Sequence, residues 1–560
     1  MKDITISFDQ GKEVRVPFGT KASHVIREYA DFRIDGTRYD ENPVIAITVN
    51  NELASFSVPL EFNACIQPVH LFSENGRRIY RHSICYLLAM ACSIICPQKH
   101  VVIGHALGDG FYYTMDGNGL ISAETVKAIE AQMRSLVSQS LPIVREFLPY
   151  HEAIELLREH DLEEAALLLS FTNKPKVPLY TCGTYVDVSY EPLLDNTRLL
   201  DRFALQPYSA KGMLLRYPRQ SSVKHIAVFK DNPVLFSIYQ EYKQWGAILG
   251  VHNVGRLSKL IDEREAGPFI HVAESLHDKK ISRIADQIQE RRELVKAVFI
   301  AGPSSSGKTT FTRKLGVQLT VLGFRPVMIS LDDYYLPRDK VALDTYGKPD
   351  LESLHALNIN QLNKDLVKLL NGEEVEIPRY SFRDGKPYPR GTSLRLSPSS
   401  LLIMEGIHGL NPELTPLIPH DAKFQIYISA LTQLNLDDHN RISTTDNRMI
   451  RRMVRDHQFR GTDPRKTLEM WPSVHRGEKT NIFPFQNLAD AAFNSALDYE
   501  LSVLKPYAEP LLKTIKPADA EYTQARRLLA FLEHFYPIPS HLVPEHSLLR
   551  EFIGGSAYEH

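Results

Sequence analysis

The chain has 560 residues, of which 43% are hydrophobic and 24% charged, and its formal net charge is -2. This length predicts three or four domains, because domains usually hold about 100 to 200 residues. The nearly balanced charge argues against an overall basic field that would attract nucleic acid or membranes, so partners must be inferred from local features. The five cysteines include no CxxC pair, which argues against a disulfide framework and a thiolate zinc site.

The N-terminal sequence and the apolar runs bear on localisation. The opening residues carry acidic and alternating side chains where a signal peptide would need a basic end and an apolar run. The most apolar run, from Ile84 to Cys96, has 13 residues, fewer than the ~20 that a bilayer crossing needs. These features predict a cytoplasmic protein without a membrane segment, in which this run is a buried helix.

The first half of the chain shows two patterns and then a connector. Over residues 1–70, short alternating runs such as ITISF surround one helical piece, ASHVIREYA, which predicts a small α+β domain. Over 71–219, helical periodicities at 123–148 and 151–171 accompany the strand-like run VVIGHALGDGFYYTMD, which predicts a second α+β domain. Charged helical sequence over 220–296 is typical of a connector.

Residues 297–540 alternate apolar strands with helical stretches. The strand-like runs AVFIAG, PVMISL, LLIMEG and FQIYIS follow one another at the spacing of βαβ units. We therefore expect an α/β domain with a parallel sheet in the C-terminal half, and a tail over residues 541–560.

The segment GPSSSGKT, from Gly302 to Thr309, follows an apolar strand and precedes an amphipathic helix. It matches the phosphate-binding loop GxxxxGK[ST] in the context that this motif requires. Backbone N–H groups of such a loop surround the phosphates, while the lysine reaches their outer oxygens and the hydroxyl residue binds Mg²⁺. The predicted nucleotide-binding residues are Gly302, Ser304, Ser305, Ser306, Gly307, Lys308, Thr309 and Thr310.

Acidic residues end two of the three other apolar strands of this domain. Asp332 and Asp333, in LDDYY, are expected at the carboxyl edge of the sheet, where ligands bind; a turn-capping role is the alternative. Glu405 ends the buried run LLIMEG, which favours a magnesium carboxylate. An aspartate at this edge can also take the proton of an attacking hydroxyl. We expect Thr309, Asp332 and Glu405 to bind the metal.

Arginines crowd the segment RMIRRMVRDHQFRG. Arg451, Arg452, Arg455 and Arg460 form either a solvated charged face or a lid that closes over phosphates. The lid is favoured, because phosphoryl transfer is accelerated mainly by groups that stabilise the spreading negative charge.

The ordered motifs GPSSSGKTT, LDDYY, IPRYSF, LIMEGIH, RRMVRD and RG resemble the uridine kinase and phosphoribulokinase family of P-loop kinases. The resemblance implies a P-loop NTPase fold and the use of ATP and Mg²⁺. It implies as catalytic residues Asp332 (the base), Lys308, Arg455 and Arg460. It also implies four residues that bind the acceptor substrate: Tyr335, Tyr380, Phe382 and Arg452.

The acceptor-binding motifs depart from this family. Gly347, in YGKP, stands where uridine kinases carry an aspartate that holds the ribose hydroxyls, and no pyrimidine-reading histidine follows YSF. Thr462 replaces a family arginine. The expected function is an ATP-dependent kinase of a small hydroxyl acceptor, with a nucleoside such as uridine as the first candidate. The alternatives are another hydroxyl metabolite as acceptor, or a nucleotide-dependent switch that senses RNA.

The motifs GRRIYRHSICYLLAMA and YVDVSYEPLLDNTRLLDRFAL resemble the N-terminal half of threonyl-tRNA synthetases, which opens with a small β-grasp-like TGS domain matching residues 1–70. The second domain of that family hydrolyses mischarged tRNA with an HxxxH pair and a later Asp, Cys and His. Here His82 and Asp187 remain, while the others are replaced by Tyr86, Ser189 and Leu193. This predicts an inactive editing-like domain over 71–219, with an RNA end or an amino acid as candidate ligand. The oligomeric state stays open.

Overall fold

The computed structural model describes residues 2–8, 11–34, 36, 38–108, 110–115, 120–218, 224–344, 347–381, 384–388 and 391–558. Within these ranges, no helix combines the length and the apolar character that crossing a membrane requires. All five cysteines are free thiols.

The N-terminal domain is a small mixed sheet that packs on one helix. The strand order is β2-β1-β7-β4-β5, with β1 and β7 parallel. Alternate residues of β1 are buried, so that Ile4 and Ile6 meet Ile26 of the helix in one core. Its elements are β1 (Asp3–Phe8), β2 (Glu13–Pro17), β3 (Thr20–Lys21), α1 (Ala22–Tyr29), β4 (Val44–Val49), β5 (Glu52–Ala54), β6 (Pro59–Leu60) and β7 (Ala64–His70).

The second domain joins a four-stranded and a three-stranded sheet to a long buried helix, in the orders β13-β14-β9-β8 and β10-β11-β12. Ser73 caps the long helix by accepting a hydrogen bond from Gly76 N at 3.1 Å. Its elements are α2 (Glu74–Ile95), β8 (Val101–Leu107), β9 (Gly110–Met115), α3 (Ala123–Ser138), β10 (Val144–Pro149), α4 (Tyr150–Glu159), α5 (Glu163–Ser170), β11 (Lys176–Cys182), β12 (Tyr185–Asp187), β13 (Ala204–Pro207) and β14 (Gly212–Arg216).

The helices expected over 123–148 and 151–171 are both interrupted. The first ends at Ser138, and β10 then pairs with β11 in an antiparallel ladder. Pro142 disfavours helix at the residue before it, and Ser140 has a left-handed φ of 50°. The second is divided into α4 and α5 at Asp161, where φ is 57°. The long-helix prediction was therefore wrong, because apolar periodicity alone does not register these turns.

Three helices lead from the second domain into the C-terminal half: α6 (Pro233–Leu249), α7 (Val254–Asp262) and α8 (Ala266–Glu290). The last of them buries Ile281, Ile284 and Ile288 against Phe311 and Leu315 of the helix after the phosphate loop. The connector is thus part of the packing that supports that helix.

The C-terminal half contains a five-stranded sheet of order β16-β21-β15-β22-β23, in which all neighbouring strands are parallel. The α/β prediction is confirmed. Its elements are β15 (Ala297–Ala301), α9 (Lys308–Val321), β16 (Arg325–Ser330), α10 (Ile359–Leu370), β17 (Val375–Ile377), β18 (Tyr380–Ser381), β19 (Lys386–Pro387), β20 (Thr392–Leu394), β21 (Ser400–Glu405), β22 (Lys423–Ser429), α11 (Thr444–Arg460), α12 (Pro464–Asn481), β23 (Ala491–Asn494), α13 (Glu500–Leu512), α14 (Tyr522–Leu532) and α15 (Arg550–Ile553).

The segment after Ser540, expected as a tail, is packed into this half of the molecule. Leu548 joins the core between the sheet and α9. Phe552 and Ile553 are buried in the cluster that contains the apolar face of α11. Because these side chains are apolar and enclosed, this segment contributes to the core rather than extending from it.

Candidate active site

The register of the sheet brings the predicted site residues together. Ile300 of β15 lies opposite Glu405 of β21, and Glu405 lies opposite Ser330 of β16. The three strands therefore end at one level, and the chain leaves them as the phosphate loop, the Asp332 turn and the Glu405 turn. This edge carries the three motifs predicted to act on a nucleotide.

The phosphate loop connects β15 to α9 through two residues with left-handed backbone conformation. Ser305 and Gly307 adopt left-handed φ values of 57° and 78°. The hydroxyls of Ser305 and Ser306 are buried and have no hydrogen-bond partner within the described part of the chain. Orphaned buried donors next to a helix N-terminus fit an anionic ligand such as a phosphate chain.

Lys308 and Thr309 begin α9. The Lys308 Nζ donates to Pro303 O at 3.3 Å, so the ammonium folds over its own loop. The Thr309 hydroxyl donates to Glu405 Oε1 at 2.9 Å. The described residues contain no cluster of three or more His, Cys, Asp or Glu that could hold a metal. One hydroxyl and one or two carboxylates fit Mg²⁺, which takes the rest of its oxygen ligands from phosphates and water.

The two neighbouring aspartates have different surroundings. Burial raises the pKa of Asp332, and the charges of Lys308, Arg460 and Arg455 offset part of that rise. Asp333 instead accepts a hydrogen bond from Tyr380 N at 3.2 Å. Asp332 therefore faces the cations of the site, whereas Asp333 is engaged in holding a strand.

Glu405 is harder to ionise than an exposed glutamate. Burial raises its pKa to about 7, with a further increase from the negative charge of Asp332, against the opposing effects of Lys308 and the Thr309 hydroxyl. A carboxyl that is costly to ionise when alone favours the arrival of a cation.

Two arginines of α11 support the phosphate loop. Arg448 Nε donates to Ser304 O at 2.9 Å, and its Nη1 donates to Glu478 at 3.0 Å. Arg451, which is 1% exposed, donates to Ser305 O at 3.4 Å. These contacts fix carbonyl groups of the loop. Arg448 was not among the arginines predicted from the sequence, although it stands in the same arginine-rich run.

Three of the four arginines predicted to form a lid gather around one carboxylate, whereas the fourth, Arg451, is buried and paired with Glu500 and so forms neither a lid nor a solvated face. Arg452, Arg455 and Arg460 lie 3.2, 2.8 and 3.6 Å from oxygens of Asp456. Arg452 also donates to the Ser304 hydroxyl at 3.1 Å. Asp456 was missed by sequence reasoning, because an acid in a basic helix resembles an ordinary surface pair.

On the acceptor side, the rings of Tyr335 and Tyr380 are 5.6 Å apart between centroids and inclined by 47°. The Tyr335 hydroxyl donates to Leu351 O at 2.9 Å. Phe382, also predicted to line this pocket, lies outside the described residues.

The C-terminal segment places a further carboxylate at the phosphate loop. Thr310 N and Thr310 Oγ1 donate to Glu551 Oε2 at 3.3 and 3.0 Å. Arg455 Nη1 lies 3.9 Å from Glu551 Oε1. No local motif marks Glu551, since it is 241 residues from Thr310.

In the second domain, the residues that replace the editing cluster are engaged in packing. The Tyr86 hydroxyl donates to Tyr180 O at 3.1 Å, and Ser189 Oγ donates to Glu191 O at 2.7 Å. Leu193 is buried in the domain core. Burial lowers the pKa of His82 to about 4, so this histidine is neutral at physiological pH.

A loop of the C-terminal half covers this editing-like cluster. The loop joins β22 to α11, and its His439 Nδ1 lies 2.7 Å from Asp187 Oδ2. Asn440 Nδ2 donates to Val188 O at 3.1 Å, and Asn435 Nδ2 donates to Ile103 O at 2.7 Å. Asp187 is therefore paired with the C-terminal half. Its partner His439 lies only a few residues before α11, the helix that carries the predicted lid arginines.

Residues 297–502 match the Phosphoribulokinase / Uridine kinase family. This confirms the resemblance inferred for the C-terminal half. Among solved structures, one described as a possible uridine kinase from Bacillus stearothermophilus aligns with 38% of this chain and 98% of its own, at 19% identity and a TM-score of 0.26. A D-glycerate 3-kinase from Cryptococcus neoformans aligns with 46% of this chain and 87% of its own, at 15% identity and a TM-score of 0.24.

The N-terminal half matches threonine–tRNA ligases, as its motifs predict. The ligase of Nitrosococcus oceani is 34% identical over 158 residues, 28% of this chain and 24% of the relative. That of Rubrobacter xylanophilus is 29% identical over 235 residues, 42% of this chain and 33% of the relative. The chain thus spans between a quarter and a third of the length of these curated relatives.

The contact between the ligase-like domain and the kinase-family half should make stability depend on pH. Burial alone would lower the pKa of His439, but the carboxylates of Asp187, Asp437 and Asp438 raise it to about 9. Since an unfolded histidine titrates near 6.5, its contribution is complete below about pH 6.5 and is lost as the pH rises through about 9. We expect His439→Gln to lower the apparent Tm by a few degrees at pH 6 and by little above pH 9.

Thermal unfolding of the full chain at several pH values measures this effect. The matched control is His151→Gln, which replaces an exposed histidine. A Tm difference between wild type and His439→Gln that does not change with pH would contradict the charged pair.

Proposed function

We propose that the protein is an ATP- and Mg²⁺-dependent kinase that phosphorylates a hydroxyl of a small acceptor, with a nucleoside as the first candidate. The observation that carries the proposal is the meeting of the phosphate loop and the partly buried Asp332 at one sheet edge. Arg452, which donates to the Ser304 hydroxyl, adds a cation where the phosphates would lie. A switch that only hydrolyses a nucleotide has less use for a buried base, because it must position water rather than deprotonate an alcohol.

Each residue in this proposal has a separate task. The loop N–H groups and the hydroxyls of Ser305 and Ser306 would donate hydrogen bonds to phosphate oxygens. The Lys308 ammonium would donate to oxygens of the outer phosphates. Thr309 and Glu405, with Asp332 nearby, would hold Mg²⁺. When bound, Mg²⁺ neutralises charge on the phosphate oxygens.

The transfer step is a displacement at the terminal phosphorus of ATP. The acceptor hydroxyl gives its proton to Asp332 as its oxygen bonds to phosphorus, and the bond to the bridging oxygen breaks to release ADP. Burial of Asp332 favours proton uptake, since its raised pKa makes it a stronger base than an exposed aspartate. Arg452, Arg455 and Arg460 would stabilise the charge that spreads over the transferred group.

We propose further that the ligase-like domain over 71–219 is a binding or structural module without hydrolytic activity. Tyr86 and Ser189 are hydrogen-bonded within the domain, and Asp187 is paired with His439. The phenol of Tyr86, the hydroxyl of Ser189 and the aliphatic side chain of Leu193 stand where the family has its second histidine, its cysteine and its last histidine, and they cannot supply the same metal ligation or proton transfer.

An ADP-release assay of the full chain tests the kinase proposal. Purified protein is incubated with ATP, Mg²⁺ and, separately, ribonucleosides, free pentoses, glycerol and glycerate, with mass spectrometry of the products. We expect at least one acceptor to raise ADP release by about tenfold or more over acceptor-free hydrolysis, with a matching phosphorylated product. Equal ADP release with and without every acceptor would contradict the proposal.

A further inference from the structure

The phosphate loop has open hydrogen-bond donors at one end and occupied donors at the other. The hydroxyls of Ser305 and Ser306 have no partner among the residues that the structure describes. At the start of α9, however, the N–H and the hydroxyl of Thr310 both donate to Glu551 Oε2, at 3.3 and 3.0 Å. Thr310 is one of the residues that the sequence predicts to bind the nucleotide. A carboxylate of the protein therefore lies on donors that are expected to serve a phosphate.

The position of Thr310 in the helix explains why an anion binds there. Thr310 is the third residue of α9, and its N–H is one of the four at a helix start that no carbonyl of the helix accepts. Such N–H groups lie at the positive end of the helix dipole and attract anions. In a phosphate loop the N–H groups surround the inner phosphates of the nucleotide, while the lysine reaches the outer ones. Glu551 thus brings its charge to the region of an inner phosphate.

The second oxygen of this carboxylate faces a predicted lid arginine. Arg455 Nη1 lies 3.9 Å from Glu551 Oε1, while Arg455 Nη2 is paired more closely with Asp456 Oδ1 at 2.8 Å. Burial is the largest cause of the raised pKa of Glu405, and the negative charge of Glu551 adds to that rise. Glu551 therefore lies among the charged groups of the candidate active site, between the phosphate loop and the lid helix α11.

The backbone that carries Glu551 is held by apolar packing. Leu549 and Phe552, on either side of it, are fully buried in the cluster that contains the apolar face of α11. Gln458 Nε2 of α11 donates to Ile553 O at 3.2 Å. These contacts do not involve the carboxylate. Rotation of the Glu551 side chain to another rotamer can therefore clear the Thr310 donors while α15 stays in place.

A phosphate and the Glu551 carboxylate need the same partners. Glu551 is 8% exposed, and a buried carboxylate is stable only where hydrogen bonds and positive charge compensate for lost hydration. Thr310 supplies the hydrogen bonds and Arg455 the charge. Two anions cannot share these groups without strong repulsion, so occupancy by one excludes the other.

We propose that Glu551 is an autoinhibitory residue, which occupies the position of an inner phosphate on Thr310 and must be displaced before a nucleotide binds fully. The inference rests on the proposed function in one respect, that the phosphate loop binds a nucleotide, and it does not depend on the acceptor. Displacement also separates Arg455 from Glu551, which frees this arginine to turn toward the phosphates. The C-terminal segment thereby sets the affinity for the nucleotide.

Nucleotide binding in the absence of an acceptor tests this contact. Isothermal titration calorimetry of the full chain with ADP and Mg²⁺ compares wild type with Glu551→Gln, which keeps the size of the side chain and removes its charge. We expect Glu551→Gln to lower the Kd for ADP by about tenfold or more, because a charge-assisted hydrogen bond no longer opposes binding. Without nucleotide, its Tm should fall by a degree or two, whereas the rise in Tm on adding ADP should exceed that of wild type.

Three further variants separate the contact from a general effect of charge. Glu545→Gln makes the same charge change at an exposed position of the same segment and should leave the Kd for ADP within about twofold of wild type. Glu551→Asp keeps the charge but shortens the side chain, and it should give a smaller gain in affinity. In a Thr310→Val background, which lacks the hydroxyl donor, the gain from Glu551→Gln should shrink.

The outcomes distinguish this inference from the proposed function. Unchanged or weaker ADP binding by Glu551→Gln would show that Glu551 only caps α9, and the kinase proposal would stand. An equal gain from Glu545→Gln would reduce the effect to net charge and would also overturn the inference alone. If neither folded wild type nor folded Glu551→Gln binds ADP, the phosphate loop does not serve this nucleotide and both proposals are overturned.

Discussion

Asp332→Asn is expected to lower kcat by roughly 10²- to 10⁴-fold, the usual effect of losing a general base. The amide keeps the shape of the side chain but cannot take the acceptor proton. The KM for ATP should change much less, because the loop N–H groups and Lys308 remain. Steady-state kinetics at saturating ATP, with the acceptor found in the screen, measures the effect.

The neighbouring aspartate provides the matched control. Asp333 accepts the hydrogen bond from Tyr380 N and lies on the strand side of the turn. Asp333→Asn should therefore reduce activity less, mainly by loosening the strand beside the acceptor. If Asp333→Asn proved the more damaging change, the catalytic base would have to be reassigned to Asp333.

Lys308→Ala is expected to abolish phosphotransfer, with a loss of roughly 10³-fold or more in kcat/KM, while the protein stays folded. Its ammonium is the cation of the loop closest to where the outer phosphates would lie. The fold should survive because, among the described residues, the hydrogen bond of Nζ goes to Pro303 O of its own loop and not to the core. ADP release and thermal unfolding of the same preparation test both parts of this prediction.

A charge-matched control is Lys279→Ala, which removes an exposed lysine from α8. It should leave both activity and Tm unchanged. Phosphotransfer by Lys308→Ala at the wild-type rate would show that GPSSSGKT does not bind the nucleotide that is consumed.

The C-terminal site shows how far local sequence determines structure here. The phosphate loop could be predicted because the strand, the glycine-bounded loop and the helix that form it are contiguous. Its N–H groups bind an anion through this short chain segment alone. Asp332 and Glu405 could also be placed, since residues that end parallel strands share one sheet edge. The lengths of the helices over 123–148 and 151–171 were misjudged, because turns at Ser140 and Asp161 depend on single left-handed residues.

Contacts between distant segments could not be predicted in this way. Glu551 reaches Thr310 across 241 residues, and His439 reaches Asp187 across 252. Each contact is made by an ordinary side chain at a position fixed only when separate cores pack together. Sequence alone determined the parallel sheet, the phosphate loop and the replacement of the editing cluster, since these are encoded in contiguous motifs. Tertiary packing alone decided that Glu551 reaches the helix after the phosphate loop and that His439 reaches Asp187, because both contacts depend on which surfaces are buried together.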